Sequence, residues 1–549
     1  MTGCVGLSIA PFERPRGVDL EQESIMNRTL TAALLLGCLT TSPASIGSSL
    51  DKEAASQVLP YASPAVSGTP SDLDLDTSFS DGGATARWPD LAGGLNEWGL
   101  RTQRVNILLP GPAVVQRIYT LGSHANLASG ASVETRDALV LSTDLSGGAS
   151  TWTVVPTNML RIDDAVYDPG TRRAYFLGSG KILTDTDMQV RCVDMSTTDH
   201  VCAGWPSQSL RWIVFDRGGS RNDVGLRLAL DPDGLALYVA GYADSDNGYL
   251  LAHAKVLTST GTMDANYGSS GTVAEDLSGR ATGRDHIANS IALSPAAAPG
   301  GTWLYLGGTY KTVAGDYDGF LMAVSPATGI GNHTSIAVET DNTGSKTDSV
   351  TAISVLANGH VAVAGISDTN DANFPALLLG RYEHHYSANL GAHFLYPDAD
   401  FCDGGTCAKN LAPPPPPVGN PYGGTRHVLP YAITEWPGNR DLVVAMSGAQ
   451  NDGTDLSPQP WITYQIVQQF SASAITEHAY RRIGYLAGWD DDRYAVPGQG
   501  MSIHSDDLGF FLLMTGTRRW DATDVDITLA KLRANDSIFA DQFGGAHGD

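Results

Sequence analysis

The stretch Leu237-Tyr238-Val239-Ala240-Gly241 is a short apolar run that ends in glycine, and the same pattern recurs along the chain. Seven copies align on this glycine, and successive glycines lie 56, 63, 67, 57, 83 and 68 residues apart. The other six copies are residues 118–122, 174–178, 304–308, 361–365, 442–448 and 511–516. One unit repeated over most of a chain indicates a repeat fold, in which each unit buries its apolar surface against its neighbours.

Each copy has similar neighbours in sequence. An apolar stretch at 226–230 and the turn Asp231-Pro232-Asp233-Gly234 precede the copy at 237–241. Proline presets one turn dihedral and glycine accepts a positive φ, so this segment predicts a tight hairpin. A further strand follows each copy, as at 318–324. Because the central strands are apolar at nearly every position, we expect both of their faces to be buried. The sequence therefore predicts an all-β fold, a seven-bladed β-propeller of four-stranded antiparallel blades.

The expected propeller is a single domain over residues 71–545. The seventh copy is followed by too little chain for a full outer strand, so we expect a segment around residues 74–90 to supply that strand and close the ring. The long interval between copies five and six predicts an insertion over residues 387–425. This insertion contains Cys402, Cys407 and the proline run 413–417, which favours polyproline II and cannot join a sheet. We expect a disulfide-stapled, proline-rich surface loop.

The beginning of the chain carries an export signal. Met26-Asn27-Arg28 and the apolar run 30–39 are typical of a signal peptide, so residues 1–44 are interpreted as an upstream segment and signal peptide, with translation starting at Met26. Residues 45–70 are expected to form a flexible linker. Two processing routes remain open, namely cleavage after Ser42-Pro43-Ala44 and lipidation of Cys38 in the lipobox-like Leu35-Leu36-Gly37-Cys38.

Composition narrows the class of partner. With 59 acidic residues against 34 Lys and Arg, the net charge of -25 disfavours binding to nucleic acid. No further stretch is long and apolar enough to predict a transmembrane segment. We expect an exported monomer in the periplasm, associated with the outer membrane, or secreted. Two local cysteine pairs, Cys192 with Cys202 and Cys402 with Cys407, predict disulfides, as expected in an oxidising compartment.

Chemical motifs are few. The sequence contains no Gly-x-Ser-x-Gly elbow, no phosphate-binding loop and no dinucleotide fingerprint, so it predicts no catalytic residue and no cofactor-binding residue. The best metal candidate is a calcium site at Asp244, Asp246 and Asn247, whose oxygens suit calcium, with turn capping as the alternative. His384 and His385 are adjacent, and adjacent strand residues face opposite sides, which disfavours a shared metal.

One segment shows a family resemblance. Leu75-Asp76-Thr77-Ser78-Phe79-Ser80-Asp81-Gly82-Gly83 resembles the Leu-Asp-x-Ser-Phe-Gly-x-Gly-Gly signature of bacterial delta-60 repeat proteins. A second, diverged copy is Met263-Asp264-Ala265-Asn266-Tyr267-Gly268-Ser269-Ser270-Gly271. The resemblance extends over about residues 70–540. It implies an exported, propeller-like repeat protein and attaches no general activity.

These observations leave three hypotheses for function. The first is a non-catalytic binding or scaffold propeller at the cell envelope, with an unknown protein or glycan partner. The second is an exported hydrolase or lyase, directed at glycans or esters, with its site in the central channel. It requires two or more carboxylates, or a histidine with a nucleophile, at one mouth of the channel. The third is a lipid-tethered assembly factor, which depends on lipidation of Cys38.

Overall fold

The structure is a computed structural model that describes most of the repeat region. The described residues are 73–75, 84–85 and 96–534, with gaps at 109–113, 127–133, 149, 183–184, 216–220, 247, 278–284, 296–300, 313–314, 330–333, 339–346, 368–375, 388–391, 403, 410–425, 438–439, 451–461, 472–476, 484–494, 507–508 and 520–524. Met26, Cys38, the linker 45–70 and the proline run 413–417 lie outside the described residues, as does most of the first delta-60 signature.

Two short strands come first, and three four-stranded blades follow them. The short strands are β1 (Leu73–Leu75) and β2 (Ala84–Thr85). Blade one contains β3 (Glu97–Leu108), β4 (Val114–Asn126), β5 (Thr135–Asp144) and β6 (Ser150–Met159). Blade two contains β7 (Arg161–Asp168), β8 (Arg173–Ile182), β9 (Asp185–Asp194) and, after a 3-10 turn at Ser207–Ser209, β10 (Leu210–Ile213). Blade three contains β11 (Asp223–Leu230), β12 (Ala236–Ser245), β13 (Gly248–Leu257) and β14 (Thr272–Glu275).

Four more blades complete the set. Blade four contains β15 (Ile287–Leu293), β16 (Leu304–Lys311), β17 (Tyr317–Val324) and β18 (Thr334–Val338). Blade five contains β19 (Asp348–Val355), β20 (Val361–Ser367), β21 (Ala376–Ser387) and an outer strand in two pieces, β22 (Ala392–Pro397) and β23 (Thr406–Lys409). Blade six contains β24 (Arg426–Glu435), β25 (Leu442–Gln450), β26 (Ile462–Phe470) and β27 (Glu477–Ile483). Blade seven contains β28 (Ala495–Asp506), β29 (Gly509–Arg519) and β30 (Val525–Ala534).

The ring is closed by strands from the two ends of the described chain. Both β1 and β2 pair antiparallel with β30, so the N-terminal segment supplies the outer strand of blade seven. The predicted seven-bladed propeller, with its N-terminal closing strand, is confirmed. In the described part of the chain all regular structure is strand, apart from the single 3-10 turn, and no described helix could span a membrane.

The hydrophobic core lies between blades and not within them. The buried apolar side chains of the described residues form seven clusters, and each cluster takes its members from two neighbouring blades. The cluster that joins blade seven to blade one includes Ile118, Leu139, Phe511 and Leu513, all at most 1% exposed. A single blade therefore has no core of its own, which is why the predicted central strands are apolar on both faces.

The glycine that ends each repeated strand has a structural reason. The innermost strand of every blade carries a β-bulge, and in six of the seven blades the bulge lies next to that glycine. A Cβ on Gly241 would lie 1.9 Å from the carbonyl oxygen of Val224, and one on Gly308 would lie 1.8 Å from that of Ile287. Only glycine lets the two backbones approach this closely.

Blade six departs from this pattern. Met446 pairs with Pro430 at the bulge, and the glycine that the sequence suggests as the end of the copy, Gly448, pairs with Val428 further along. The bulge is therefore present in blade six without the glycine, which explains why this copy is among the most diverged in sequence.

Both predicted disulfides are present. Cys192–Cys202 joins β9 to the segment before β10, and Cys402–Cys407 closes a short excursion between β22 and β23, with Cα atoms 6.0 and 5.7 Å apart. Residues 392–397 and 406–409, within the expected insertion 387–425, pair with β21 and so belong to the sheet of blade five.

The second delta-60-like segment lies between β13 and β14. Tyr267 is fully buried, and its ring packs against Tyr238 at a centroid distance of 5.9 Å and lies over Gly329 of blade four. Gly268 and Gly271 both have positive φ, which glycine adopts without strain. The aromatic and glycine positions of the signature therefore fill a gap between two blades.

Candidate functional site

The innermost strands of the seven blades follow one another around the propeller axis and line its channel. They are β3, β7, β11, β15, β19, β24 and β28. Their bulges give each blade extra residues at one level of this channel. The residues at and just after the bulge are Leu100 and Arg101, Asp163 and Asp164, Leu226 and Arg227, Asn289 and Ser290, Thr351 and Ala352, Tyr431 and Ala432, and Gly498 to Met501. Only blades one to three contribute charged residues to this set.

Arg101 and Asp164 form the central ion pair of this level. The guanidinium donates from Nε to Oδ1 and from Nη2 to Oδ2 of Asp164, both at 2.7 Å. Asp164 is fully buried and also accepts from the backbone N–H of Leu228 in blade three at 2.8 Å. Burial alone lowers the pKa of Arg101, but the charge and hydrogen bonds of Asp164 outweigh it and raise that pKa. One carboxylate thus joins blades one, two and three.

The second carboxylate at this level, Asp163, is also paired with an arginine. Arg161 donates from Nε to both oxygens of Asp163 at 2.8 Å. Burial opposes the charged state of Arg161, but the carboxylate of Asp163 outweighs it, so the pKa of Arg161 is raised. Both aspartates are therefore held by arginines, and neither is placed as a free acid or base.

Arg227 is the third arginine at this level. Within the described chain, it donates a local hydrogen bond from Nη1 to the carbonyl oxygen of Leu226 at 2.7 Å. Its side chain keeps some exposed surface although protein atoms surround it. Burial lowers the pKa of Arg227 and the charge of Arg101 lowers it further, against the opposing effect of Asp164. An arginine nevertheless stays protonated at neutral pH.

Tyr431 of blade six reaches the same region from across the axis. Burial raises its pKa to about 12, although the Ser447 hydrogen bond and the charge of Arg227 lower it. The phenol is therefore protonated at neutral pH and can donate a hydrogen bond. Arg227 and Tyr431 influence each other's ionisation, so the two side chains lie in the same part of the channel.

The remaining blades present uncharged groups that connect their neighbours. Asn289 donates from Nδ2 to the Ser349 hydroxyl at 3.4 Å, and Thr351 donates to the carbonyl oxygen of Pro430 at 2.8 Å. The described bulge residues carry two guanidinium groups, Arg101 and Arg227, against the carboxylates of Asp163 and Asp164. With Arg161, which lies two residues before Asp163 and pairs with it, the local net charge is one positive unit in a chain whose overall charge is -25. The positive sign of this local charge could not be predicted from the overall composition.

Two of the residues suggested as a calcium site, Asp244 and Asp246, lie at the hairpin between β12 and β13 of blade three. Asp244 lies near the end of β12, where it pairs with Tyr249, and the exposed Asp246 forms an ion pair with Arg221. Asn247 lies outside the described residues. The calcium site remains a prediction.

A different set of metal-binding side chains converges on blade five. Within the described residues, His360, Glu383 and Asp398 place their ligand atoms within 4.8 Å of one another. His384 and His385 do point to opposite faces, since His384 contacts Trp303 and Tyr305 whereas His385 contacts Glu383. Sequence reasoning missed this set because its members lie on three separate segments.

Comparison with known proteins places the chain in no family, since it matches no protein-family model and no curated protein. Solved structures are matched at low similarity. A protein of unknown function from Dyadobacter fermentans is 8% identical with a TM-score of 0.39, over 84% of this chain and 100% of that one. A polysaccharide lyase of family PL25, an ulvan lyase, is 9% identical with a TM-score of 0.37, over 82% and 99%. An endo-arabinase from Bacteroides thetaiotaomicron is 12% identical with a TM-score of 0.29, over 56% and 93%. Similarity this low carries no argument about function.

Proposed function

We propose that this protein is an exported, non-catalytic binding propeller whose central channel recognises a carboxylate group on its partner. The observation that carries the proposal is the position of Arg227. Arg227 lies at the bulge of the innermost strand of blade three, where the two nearby aspartates are already held by Arg101 and Arg161. An arginine is a strong, geometrically specific ligand for carboxylates, and its attraction increases where water is scarce.

Tyr431 supports the same role. A protonated phenol beside a guanidinium offers a second donor to a carboxylate that enters the channel. The overall charge of -25 favours a single terminal acid over an extended polyanion. A uronic acid at the end of a glycan and the free C-terminus of a peptide share this chemistry.

The alternative, an exported hydrolase or lyase with its site in the channel, needs a free carboxylate pair or a histidine beside a nucleophile. At the bulge level the described carboxylates are Asp163 and Asp164, and both are fixed by arginines. This arrangement supports binding over catalysis by a pair of free carboxylates.

We also propose that the chain belongs with the delta-60 repeat proteins and is exported. The buried Tyr267 and the positive φ of Gly268 and Gly271 give the signature a structural role, which supports the first point. The two disulfides support the second, because disulfides persist in oxidising compartments. Mass spectrometry of the mature N-terminus tests the export route, since cleavage near Ala44 excludes a lipid on Cys38.

Binding and turnover are separated in one experiment. The purified chain is mixed with galacturonate oligosaccharides, with neutral galactose oligosaccharides of equal length, and with a short peptide bearing either a free or an amidated C-terminus. Bound ligand is measured by calorimetry, and released reducing ends or unsaturated products are measured in the same samples. We expect an acidic probe to bind and no product to form. Product formation, or equal binding of acidic and neutral probes, would contradict the proposal.

A further inference from the structure

The distal end of β21 carries polar side chains on the face that is turned towards blade six. Glu383 and His385 lie on this face because residues two apart on a strand point to the same side. His360 comes directly before β20, and Asp398 comes directly after β22. Three separate segments of blade five therefore bring the ligand atoms of His360, Glu383 and Asp398 within 4.8 Å of one another, and His385 contacts Glu383 from the same strand.

The distances show how these groups are arranged. His360 Nε2 lies 3.9 Å from Glu383 Oε1, and His385 Nε2 is in hydrogen-bond contact with Glu383 Oε2. The other ring nitrogen of His360, Nδ1, lies 2.9 Å from Asp398 Oδ2. The Nε2 atoms of two histidines thus approach the two oxygens of one carboxylate.

Asp398 fixes the tautomer of His360. Its Oδ2 also accepts from Arg381 Nε, and its Oδ1 accepts from the backbone N–H of Asp400 at 2.9 Å. An ionised carboxylate only accepts hydrogen bonds, so the proton of His360 is on Nδ1 and the lone pair of Nε2 is directed to the Glu383 side. Histidines that bind metals typically donate their other N–H to a carboxylate in this manner.

The backbone around Asp398 is held in place. Its N–H donates to the carbonyl oxygen of Arg381 at 2.8 Å, and its own carbonyl accepts from Phe401 at 3.0 Å. The excursion that follows is closed by the Cys402–Cys407 disulfide and anchored by Phe401, whose side chain is fully buried. The backbone that carries the Asp398 carboxylate is therefore fixed by hydrogen bonds and by the neighbouring disulfide.

We propose that His360, His385 and Glu383 bind a divalent transition-metal ion of the zinc type, with Asp398 as the carboxylate that orients His360. Two imidazole nitrogens and one carboxylate suit zinc, whereas calcium and magnesium prefer oxygen ligands. His385 Nε2 donates to Glu383 in this structure, so the proton of His385 moves to Nδ1 when the metal binds. Ligand atoms on a tetrahedral zinc ion are about 3.4 Å apart, so the 3.9 Å gap closes with small side-chain movements. Asp398 is already paired with Arg381, which leaves Glu383 as the carboxylate for the metal.

The position of the site allows an ion to enter. The side chain of His385 is 55% exposed and that of Glu383 is 34% exposed, so the open coordination position faces solvent. The site is distinct from the channel, and it does not depend on the proposed binding of a carboxylate there.

The test is zinc titration of the full, untagged chain after dialysis against a chelator, with a chromophoric competitor to report free Zn²⁺. We expect one Zn²⁺ per chain. The double substitution His360→Ala and His385→Ala should abolish this binding, and Asp398→Asn should weaken it by about 10- to 100-fold. His393→Ala is the matched control, because this imidazole packs with His384 on the opposite face of blade five and its loss should leave zinc binding unchanged.

A second measurement keeps the test decisive if the double variant misfolds. Glu383→Gln keeps the shape of the side chain and removes its charge, and it should weaken zinc binding at least tenfold while the circular dichroism spectrum is unchanged. Co²⁺ bound to the wild-type chain should give the intense visible bands of a four-coordinate nitrogen and oxygen site. Absence of stoichiometric Zn²⁺ binding, or equal affinity in wild type and Glu383→Gln, would overturn the proposal.

Discussion

Arg101 of blade one holds Asp164 of blade two through two hydrogen bonds of 2.7 Å, although the residues are 63 positions apart in sequence. Asp164 is fully buried, and the guanidinium is 29% exposed. Removing one partner of such a pair leaves a buried charge uncompensated.

The substitution Asp164→Asn should therefore lower the free energy of unfolding by about 3 kcal/mol, because Arg101 loses its counter-charge inside the propeller. Urea unfolding followed by tryptophan fluorescence measures this change. Asp246→Asn is the control, because its carboxylate is 71% exposed in its pair with Arg221 and should contribute less than about 1 kcal/mol. A similar loss in both variants would contradict the role assigned to Asp164.

The repeated glycine gives a second prediction. A methyl group at Gly241 would lie 1.9 Å from the carbonyl oxygen of Val224, so Gly241→Ala must displace the bulge of blade three. We expect a loss of about 3 kcal/mol or more, measured by chemical unfolding. Gly148→Ala is the matched control, since its nearest contacts would be 3.4 Å away, and it should change stability by less than about 1 kcal/mol. A tolerated Gly241→Ala would refute the explanation of the repeat.

Closure of the ring by the N-terminal strands predicts the effect of truncation. A chain that starts at residue 96 lacks β1 and β2, which leaves the edge of β30 unpaired. Its apparent Tm should fall by about 5 °C or more, and it should self-associate in size-exclusion chromatography. A chain that starts at Gln57 retains both strands and should behave as the full chain does. Equal stability of the two truncated chains would contradict closure.

His504 predicts acid sensitivity at the closing interface. Its Nε2 accepts the backbone N–H of Arg104 in blade one at 3.1 Å, and burial together with the charge of Arg104 lowers its pKa to about 4. As the pH falls below the ordinary value of 6.5, the unfolded chain takes up a proton before the folded chain does. The stability from this group is therefore complete above pH 6.5 and is lost between 6.5 and about 4.

Thermal unfolding between pH 4 and 7 tests this. His504→Gln should reduce the fall in Tm on acidification, whereas His200→Gln, in a hairpin of blade two, should leave the fall unchanged. The same pH profile in wild type and His504→Gln would exclude His504 as the source.

The fold could be predicted from the sequence because its main signal is local. The strand at 237–241 is apolar on both faces, and it ends at a glycine because a neighbouring carbonyl oxygen leaves no room for a Cβ atom. Both properties recur in most blades. The outer strands gave no such signal, since they pack on one side and vary in length. Blade six lacks the glycine opposite its bulge. Its sequence pattern therefore points to Gly448 as the end of the repeated strand, whereas Met446 occupies the equivalent position in the structure.

The candidate site could not be predicted, because the fold brings together residues that have no motif in common. Arg101, Asp164 and Arg227 belong to different blades, and their neighbours in sequence are ordinary strand residues. The acidic loop at Asp244 and Asp246 predicts a calcium site because its carboxylates are close together in sequence. The carboxylate of Asp246 is instead paired with Arg221.

The most direct test of the proposed function is calorimetric titration of the chain and of Arg227→Gln with the acidic probe that binds. Charged hydrogen bonds contribute about 1.5 to 3 kcal/mol, so this substitution should weaken binding by about 10- to 100-fold. Arg172→Gln makes the same change of charge at an exposed hairpin and should leave the affinity unaltered. Equal affinity of wild type and Arg227→Gln for that probe would contradict the claim that the channel recognises a carboxylate.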